Sequence, residues 1–303
     1  MVIQHRQILQ EYWTYLDVSA RIMRRTAMPI RTRGLPSGWY PETRRQTERV
    51  ITQWDEKLDK NLPSAFTGIA PHAGWDFSGE LANHVVSCLD RESDVIAVVG
   101  GHLPPSDKIL CAVEDEFETP LGPIKAENSI RKRLFDTVEV TPDSWSDNTV
   151  EIQLPLIKHK FPRARVIYLR VSPTGAATTL GKALHEISQG LSVRISVLGS
   201  TDFTHYGPAY GFMPAGHGDD AIQWVREQND RVIIEHLLSM NLELALQHAN
   251  EKSSACSAGA AAAAAFFAAL RGSEKGTLLG YRMSYDYHKS ESFVGYAGIC
   301  YQP

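Results

Sequence analysis

The chain has 303 residues, 43% of them hydrophobic and 22% charged, the composition of a globular protein with a sizeable core rather than of a disordered one. A formal net charge of -4 argues against a nucleic-acid partner, so local clusters such as Arg24-Arg25 and Arg44-Arg45 read as solvated faces or anchoring pairs. Four cysteines (Cys88, Cys111, Cys256, Cys300) without C-x-x-C spacing argue against a disulfide scaffold or zinc ribbon, and no apolar run approaches the ~18 residues of a membrane span, so a soluble, cytoplasmic protein is expected.

Residues 3–25 place Ile3, Ile8, Leu9, Trp13, Leu16 and Ile22 at roughly helical spacing, without the apolar core or cleavage site of a signal peptide. This predicts an N-terminal helical extension over residues 1–29, ahead of one α/β domain over 30–303. A Pro/Gly-rich turn, PIRTRGLPSGWYP, leads to a second helix beginning near Glu42. FTGIAP then reads as a strand, SGELANHVVSCLD as a helix, DVIAVVGG as a strand, and KILCAVEDEF with LGPIKAE as a hairpin. After a polar linker, VEIQLPLIKHKF reads as a short helix. RARVIYLRV (strand), ATTLGKALHEISQG (helix) and VRISVLGS (strand) repeat the alternation, which predicts a mostly parallel sheet flanked by helices. Two helices follow, then the alanine-rich SACSAGAAAAAAFFAALRG, then TLLGYRMSYDY and SFVGYAGICY as antiparallel strands closing the sheet.

Ligands of open α/β sheets bind beyond the carboxyl ends of the strands. Those ends carry His72 in IAPHAGWDFSG, His102 in VVGGHLPPSD, and Asp202 with His205 in GSTDFTHYG. Glycines beside them (Gly74, Gly79, Gly100, Gly101, Gly207) let backbone approach a bound group. His84, His159, His185, His236 and His248 lie in helical patterns and read as structural. Cys256 has two readings: a small apolar filler of a buried helix, or a thiolate favoured by the helix N-terminus behind Ser253, Ser254 and Ser257. Glu151 either complements a helix dipole or serves the site, and Asp76 caps the helix after Ser78.

Two imidazoles with one anionic ligand leave coordination positions open on Fe(II) or Zn(II), and a cysteine in that set favours iron, copper or zinc over magnesium or calcium. A further histidine that is not a ligand, such as His205 beside Asp202, is placed to act as a general base or to bind substrate.

The segments RGLPSGWYP, IAPHAGWDFSG, VVGGH, DNTVEIQLP, GSTDFTHYG and the isolated Cys256 occur in the order and approximate spacing of the Memo family, which this chain resembles from about residue 30 to 303. That family includes a component of the bacterial AMMECR1, Memo and radical-SAM gene association and is related to class III extradiol dioxygenases of the LigB type. The resemblance implies a LigB/Memo-like α/β fold and a metal pocket at His72, His102 and Cys256, with Cys256 where the dioxygenases carry a carboxylate. It places His205, beside Asp202, where those enzymes keep a base. Family members commonly carry Glu-His-Ser where this chain has Asp147-Asn148-Thr149, and glycine where it has Ser257.

The function implied is that of a non-haem iron oxidoreductase, dioxygenase-like, acting on a small aromatic or phenolic substrate, with Fe(II) as cofactor and copper or zinc as the other ions. The alternatives are a non-catalytic metal- or peptide-binding adaptor and, less favoured, a zinc hydrolase with Cys256 as nucleophile. AMMECR1-like and radical-SAM proteins are the partners that the family suggests.

Overall fold

The structure, a computed structural model, describes residues 30–59, 61–145 and 147–302, and the helix expected over residues 3–25 lies outside them. In chain order it contains β1 (Ile30–Arg31), α1 (Arg44–Asp55), β2 (Thr67–Ala70), α2 (Glu80–Cys88), β3 (Val95–Gly100), β4 (Ile109–Ala112), β5 (Glu116–Phe117), β6 (Ile124–Lys125), α3 (Asn128–Thr137), β7 (Thr141–Asp143), α4 (Asn148–Glu151) and α5 (Leu154–Lys160). The second half runs β8 (Arg165–Val171), α6 (Gly175–Leu191), β9 (Ile195–Ser200), β10 (His205–Tyr206), α7 (Asp219–Trp224), α8 (Asp230–Leu238), α9 (Leu242–Lys252), α10 (Ala258–Leu270), β11 (Gly276–Met283), α11 (Ser284–Tyr287) and β12 (Phe293–Tyr301).

The apolar runs β2, β9, β3 and β8 lie side by side and parallel at the centre of a nine-stranded sheet ordered β10-β12-β2-β9-β3-β8-β4-β7, with β11 on the other side of β12. Antiparallel strands complete it: β12 pairs with β2, β11 and β10 on one side, and β4 with β8 on the other. The sheet is therefore parallel at its centre and mixed as a whole. Alternation sends Val95, Ala97 and Val99 into a core beneath α6 and α10, and Ile96 and Val98 into a second core beneath α2 and α5. No helix of the described residues is long and apolar enough to cross a membrane.

The alanines of α10 are buried on every side because neighbouring backbone passes very close. A Cβ added at Gly181 of α6 would lie 2.6 Å from the Ala263 carbonyl oxygen, and one at Gly199 of β9 would lie 2.7 Å from that of Ala260. Small side chains thus set the helix spacing, and inserting even one methyl there would force shifts costing about 1–3 kcal/mol. Of the larger residues in this helix only Phe267 is buried; Phe266 is half-buried and Leu270 exposed.

Three local expectations are corrected. KILCAVEDEF does not form one arm of a hairpin: β4 joins the main sheet, and only β5 pairs with β6, in a three-stranded sheet completed by β1. The supposed polar linker after residue 127 contains α3, whose Ile130 and Leu134 are four apart on a buried face, and β7. VEIQLPLIKHKF divides into α4 and α5, and the break turns Gln153 inward, where its amide donates to the Pro71 carbonyl at 2.8 Å and to Ser200 Oγ at 3.1 Å.

Candidate metal centre

Parallel pairing sets Ala70 opposite Ser200 and Val99 opposite Gly199, so the carboxyl ends of β2, β9 and β3 are level. Each chain places its polar residue at the same remove from the strand end: Ala70 to His72, Gly100 to His102, Ser200 to Asp202. The turn to His102 depends on glycine. Gly101 has φ +119°, and a Cβ on Gly100 would lie 2.0 Å from Thr149 Oγ1. Thr149 Oγ1 accepts the Gly101 N–H at 2.9 Å, and its hydroxyl donates to Asp147, which Arg170 holds at 3.0 Å while also gripping Asp143. Cys256 arrives from across the fold. Ala255 bridges Phe203, the Cys256 N–H donates to the Asp202 carbonyl at 3.1 Å, and the Ser257 N–H donates to Thr201 Oγ1 at 3.1 Å.

These loops converge on one point. His72 Nε2 lies 3.2 Å from His102 Nε2 and 3.2 Å from Cys256 Sγ, and the three ligand atoms all fall within 4.8 Å of one another. The residues differ in access: His72 is buried, Cys256 half-buried and His102 exposed. Behind His72, Nδ1 lies 3.3 Å from Ser200 Oγ, which already accepts from Gln153. With Nδ1–H donating to that oxygen, Nε2 keeps its lone pair for the centre, a tautomer assignment that follows from the network. The His72 backbone N–H donates to Asp202 Oδ1 at 2.7 Å.

Charges are strongly coupled here. Burial opposes a Cys256 thiolate, but His72, His102 and His205 around it hold its pKa well below the ordinary thiol value. The sulfur lies one residue ahead of Ser257, the cap position of α10, so the histidines rather than the helix end make it anionic. Burial likewise lowers His72, and the Cys256 and Asp202 charges outweigh it, raising that pKa to about 9. His205 is raised to about 10, burial again being overcome by Asp202 and Cys256.

His205 lies beside the three-residue cluster rather than within it. Its Nε2 is 3.9 Å from Asp202 Oδ2, an electrostatic approach too long for a hydrogen bond, and its ring packs against Tyr210 with centroids 4.9 Å apart. Nε2 is buried without a hydrogen-bond partner, which leaves it open to a ligand in the pocket. That pocket, about 450 Å³, opens above the cluster between Trp39, Phe77, Tyr210 and Tyr296, with Asn148 and His288 on its polar side. His288 eluded the strand-end rule because it sits in a charged turn between the closing antiparallel strands. Asn148 donates to the His72 carbonyl at 3.4 Å.

Glu151 is an anchor. Buried, it accepts the Gly34 N–H at 2.9 Å, the Leu35 N–H at 3.1 Å and the Tyr40 hydroxyl at 2.9 Å, so it ties down the segment that carries Trp39. Asp76 is exposed in a π-helical turn, Trp75–Gly79, whose cap position is Gly74 rather than an aspartate. The helical histidines 84, 159, 185, 236 and 248 do not line the pocket.

The described geometry agrees with what similarity shows. Residues 31–300 match the family model described as Memo-like protein. A MEMO1 family protein of Pyrococcus furiosus is 29% identical over 288 residues, covering 89% of this chain and 98% of that one. Another, from Nitrosopumilus maritimus, is 26% identical over 278 residues, covering 86% and 95%. Among solved structures, an uncharacterized protein from Escherichia coli K12 shares the fold with a TM-score of 0.50 at 10% identity, covering 79% of this chain and 99% of that one. With nearly its whole described length matched, the chain belongs to the Memo-like protein family.

Proposed function

We propose that this protein is a non-haem iron-dependent oxidoreductase acting on a small aromatic or phenolic molecule in the pocket above His72, His102 and Cys256. One observation carries the reading: two imidazole nitrogens and a thiolate meet within 4.8 Å at the pocket floor, beside a buried, unpartnered His205 Nε2. Two neutral imidazoles and one anionic donor suit Fe(II) and leave room for further ligands, and the softness of the thiolate also admits copper or zinc. Fe(II), when bound, supplies the redox chemistry toward O2 and a phenolic oxygen.

The chain's own residues do the rest. His72, His102 and Cys256 would hold the ion, with Ser200 and Gln153 fixing the orientation of His72. Trp39, Phe77, Tyr210 and Tyr296 clasp an aromatic ring and keep water from its faces. His205, raised to about 10 by Asp202 and the Cys256 thiolate, would lose its proton once an ion neutralises that thiolate, and its Nε2 would then accept a phenolic proton.

The test is anaerobic loading with Fe(II), Cu(I) or Zn(II) in separate samples, followed by a panel of catechols and O2, with O2 uptake and product measured. The reading expects uptake in the iron sample, and His205→Gln should retain the ion while losing roughly 100-fold or more in rate. Unchanged phenols and no O2 uptake with iron fully bound would reject it. That outcome would favour a non-catalytic metal- or peptide-binding adaptor, a reading for which the exposure of His102 on an open pocket is the supporting observation.

A further inference from the structure

Behind the pocket lies a carboxylate for which the proposed chemistry has no use. Asp230 is fully buried at the start of α8, immediately after a π-helical turn, Val225–Asn229, that interrupts the helix running from residue 219 to 238. The wider turn brings Asn229 and Asp230 inward together, and such turns recur at functional sites. Both side chains reach Thr204, the residue between the Asp202–Phe203 pair and His205. Asp230 Oδ1 accepts the Thr204 N–H at 2.9 Å and also the Thr204 hydroxyl, and Asn229 Nδ2 donates to that hydroxyl oxygen at 2.9 Å. Asp230 Oδ2 accepts the Tyr281 hydroxyl at 2.8 Å.

Every neighbour is arranged to admit this carboxylate. A Cβ on Gly295 would lie 1.8 Å from Asp230 Oδ2, so β12 must be bare at that position. Gly295 also clasps the same loop: its carbonyl accepts the Phe203 N–H at 2.9 Å and its N–H donates to the Thr204 carbonyl at 3.0 Å. The other amide hydrogen bond of Asn229 goes to the Lys252 carbonyl at 3.1 Å, just ahead of the turn that carries Cys256. The loop of Asp202 and His205 is thus held from behind by one carboxylate and one amide on a single helix. His205 itself lacks a hydrogen bond at Nε2, so its aim depends on its backbone and on Tyr210.

We propose that Asp230 is the positioning residue of this site, holding the Asp202–His205 loop so that His205 Nε2 points into the pocket. The inference rests on the reading of His205 as a pocket base, but its geometry stands apart from turnover. It is tested on the full chain without metal, by proton–nitrogen correlation spectra of the histidine rings, with the His205 signal identified by its loss in His205→Gln. Asp230→Ala removes both oxygens, and with them the acceptors of the Thr204 N–H, the Thr204 hydroxyl and the Tyr281 hydroxyl. Its His205 ring signal should become doubled or exchange-broadened while that of His185, on α6 against Phe267, stays single and sharp. Tyr281→Phe serves as the control: it removes a hydrogen bond from Asp230 but leaves both Thr204 contacts, and its His205 signal should stay single.

A single sharp His205 signal in Asp230→Ala, displaced or not, overturns the proposal, as does equal broadening in Tyr281→Phe. Should Asp230→Ala not fold, Asn229→Ala, which removes only the amide contacts, should broaden the same signal, and a sharp one would count equally against the idea. With an active iron-loaded sample, Asp230→Ala should lower kcat about 10–100-fold with KM little changed. If the ring signal broadens but His205→Gln retains full turnover, positioning stands and the reading of His205 as the base falls.

Discussion

Cys256 Sγ lies 3.2 Å from His72 Nε2 although 184 positions separate them in the chain. The contact follows from two independent constraints, the strand end that delivers His72 and the Phe203–Ala255 bridge that delivers the segment before α10. His102 joins them through a third element, so each of the three can be removed while the others stay in place.

Replacing His72 with Ala, His102 with Ala or Cys256 with Ser should each weaken metal binding by about 100-fold or more, exceeding the 10–100-fold loss typical of an outer partner. Ser200→Ala, which removes the partner of His72 Nδ1, should fall within that smaller range. Metal analysis and competition titration with thermal unfolding as a control will read this out. Full occupancy in all three ligand variants would remove the site from consideration.

Metal uptake should release a proton. With His72 raised to about 9, the buried ring carries a proton near pH 7 that an ion must displace, whereas Cys256, already ionised, releases none. Apparent affinity should therefore climb roughly tenfold per pH unit toward pH 9 and then level off. Calorimetry in buffers of different ionisation enthalpy at pH 7 should give about one proton per ion. A value near zero would mean that His72 is neutral or is not displaced.

Glu151→Gln should destabilise the protein by about 3 kcal/mol, since the buried carboxylate accepts three hydrogen bonds and charged hydrogen bonds contribute about 1.5–3 kcal/mol each. Metal affinity should hardly change, because none of these bonds reaches the cluster. Urea unfolding and metal titration of the same variant separate the two. A lost metal site at unaltered stability would make Glu151 part of the centre.

Asp230 has a signature in stability. Burial raises its pKa from 3.8 to about 6, against hydrogen bonds from Thr204 and Tyr281 that favour the charged form. A raised folded value means that its contribution is fully present below 3.8 and is lost as pH rises through about 6, an amount of about 3 kcal/mol. Unfolding free energies measured from pH 4 to 7 should show this fall in the parent protein relative to Asp230→Asn, which has no charge to bury. Parallel curves for the two proteins would show that Asp230 is ionised at no cost.

Much of the fold can be read from one dimension, and the reasons are local. VIAVV and VIYL are continuous apolar runs because both faces of a central strand are covered, and helices between them announce parallel crossovers. His72, His102, Asp202 and His205 were legible because a parallel sheet collects its strand ends on one rim. The helix over Asn128–Thr137 was not, because its buried face is reduced to Ile130 and Leu134 among charges, and polarity resembled a linker. The two π-helical turns left no periodic signal either, since one added residue in a helix does not disturb an apolar pattern enough to be seen.

By itself the sequence determined the alternation of the central strands with helices, the rim to which the strand-end histidines belong and the resemblance to the Memo family, because these are carried by short segments of residue pattern. Only the tertiary structure decided how closely His72, His102 and Cys256 meet, that Glu151 anchors a loop, and that His288 reaches the pocket. Those outcomes depend on the register between strands and on backbone approaches of a few ångströms at Gly100, Gly199 and Gly295, which no local pattern encodes.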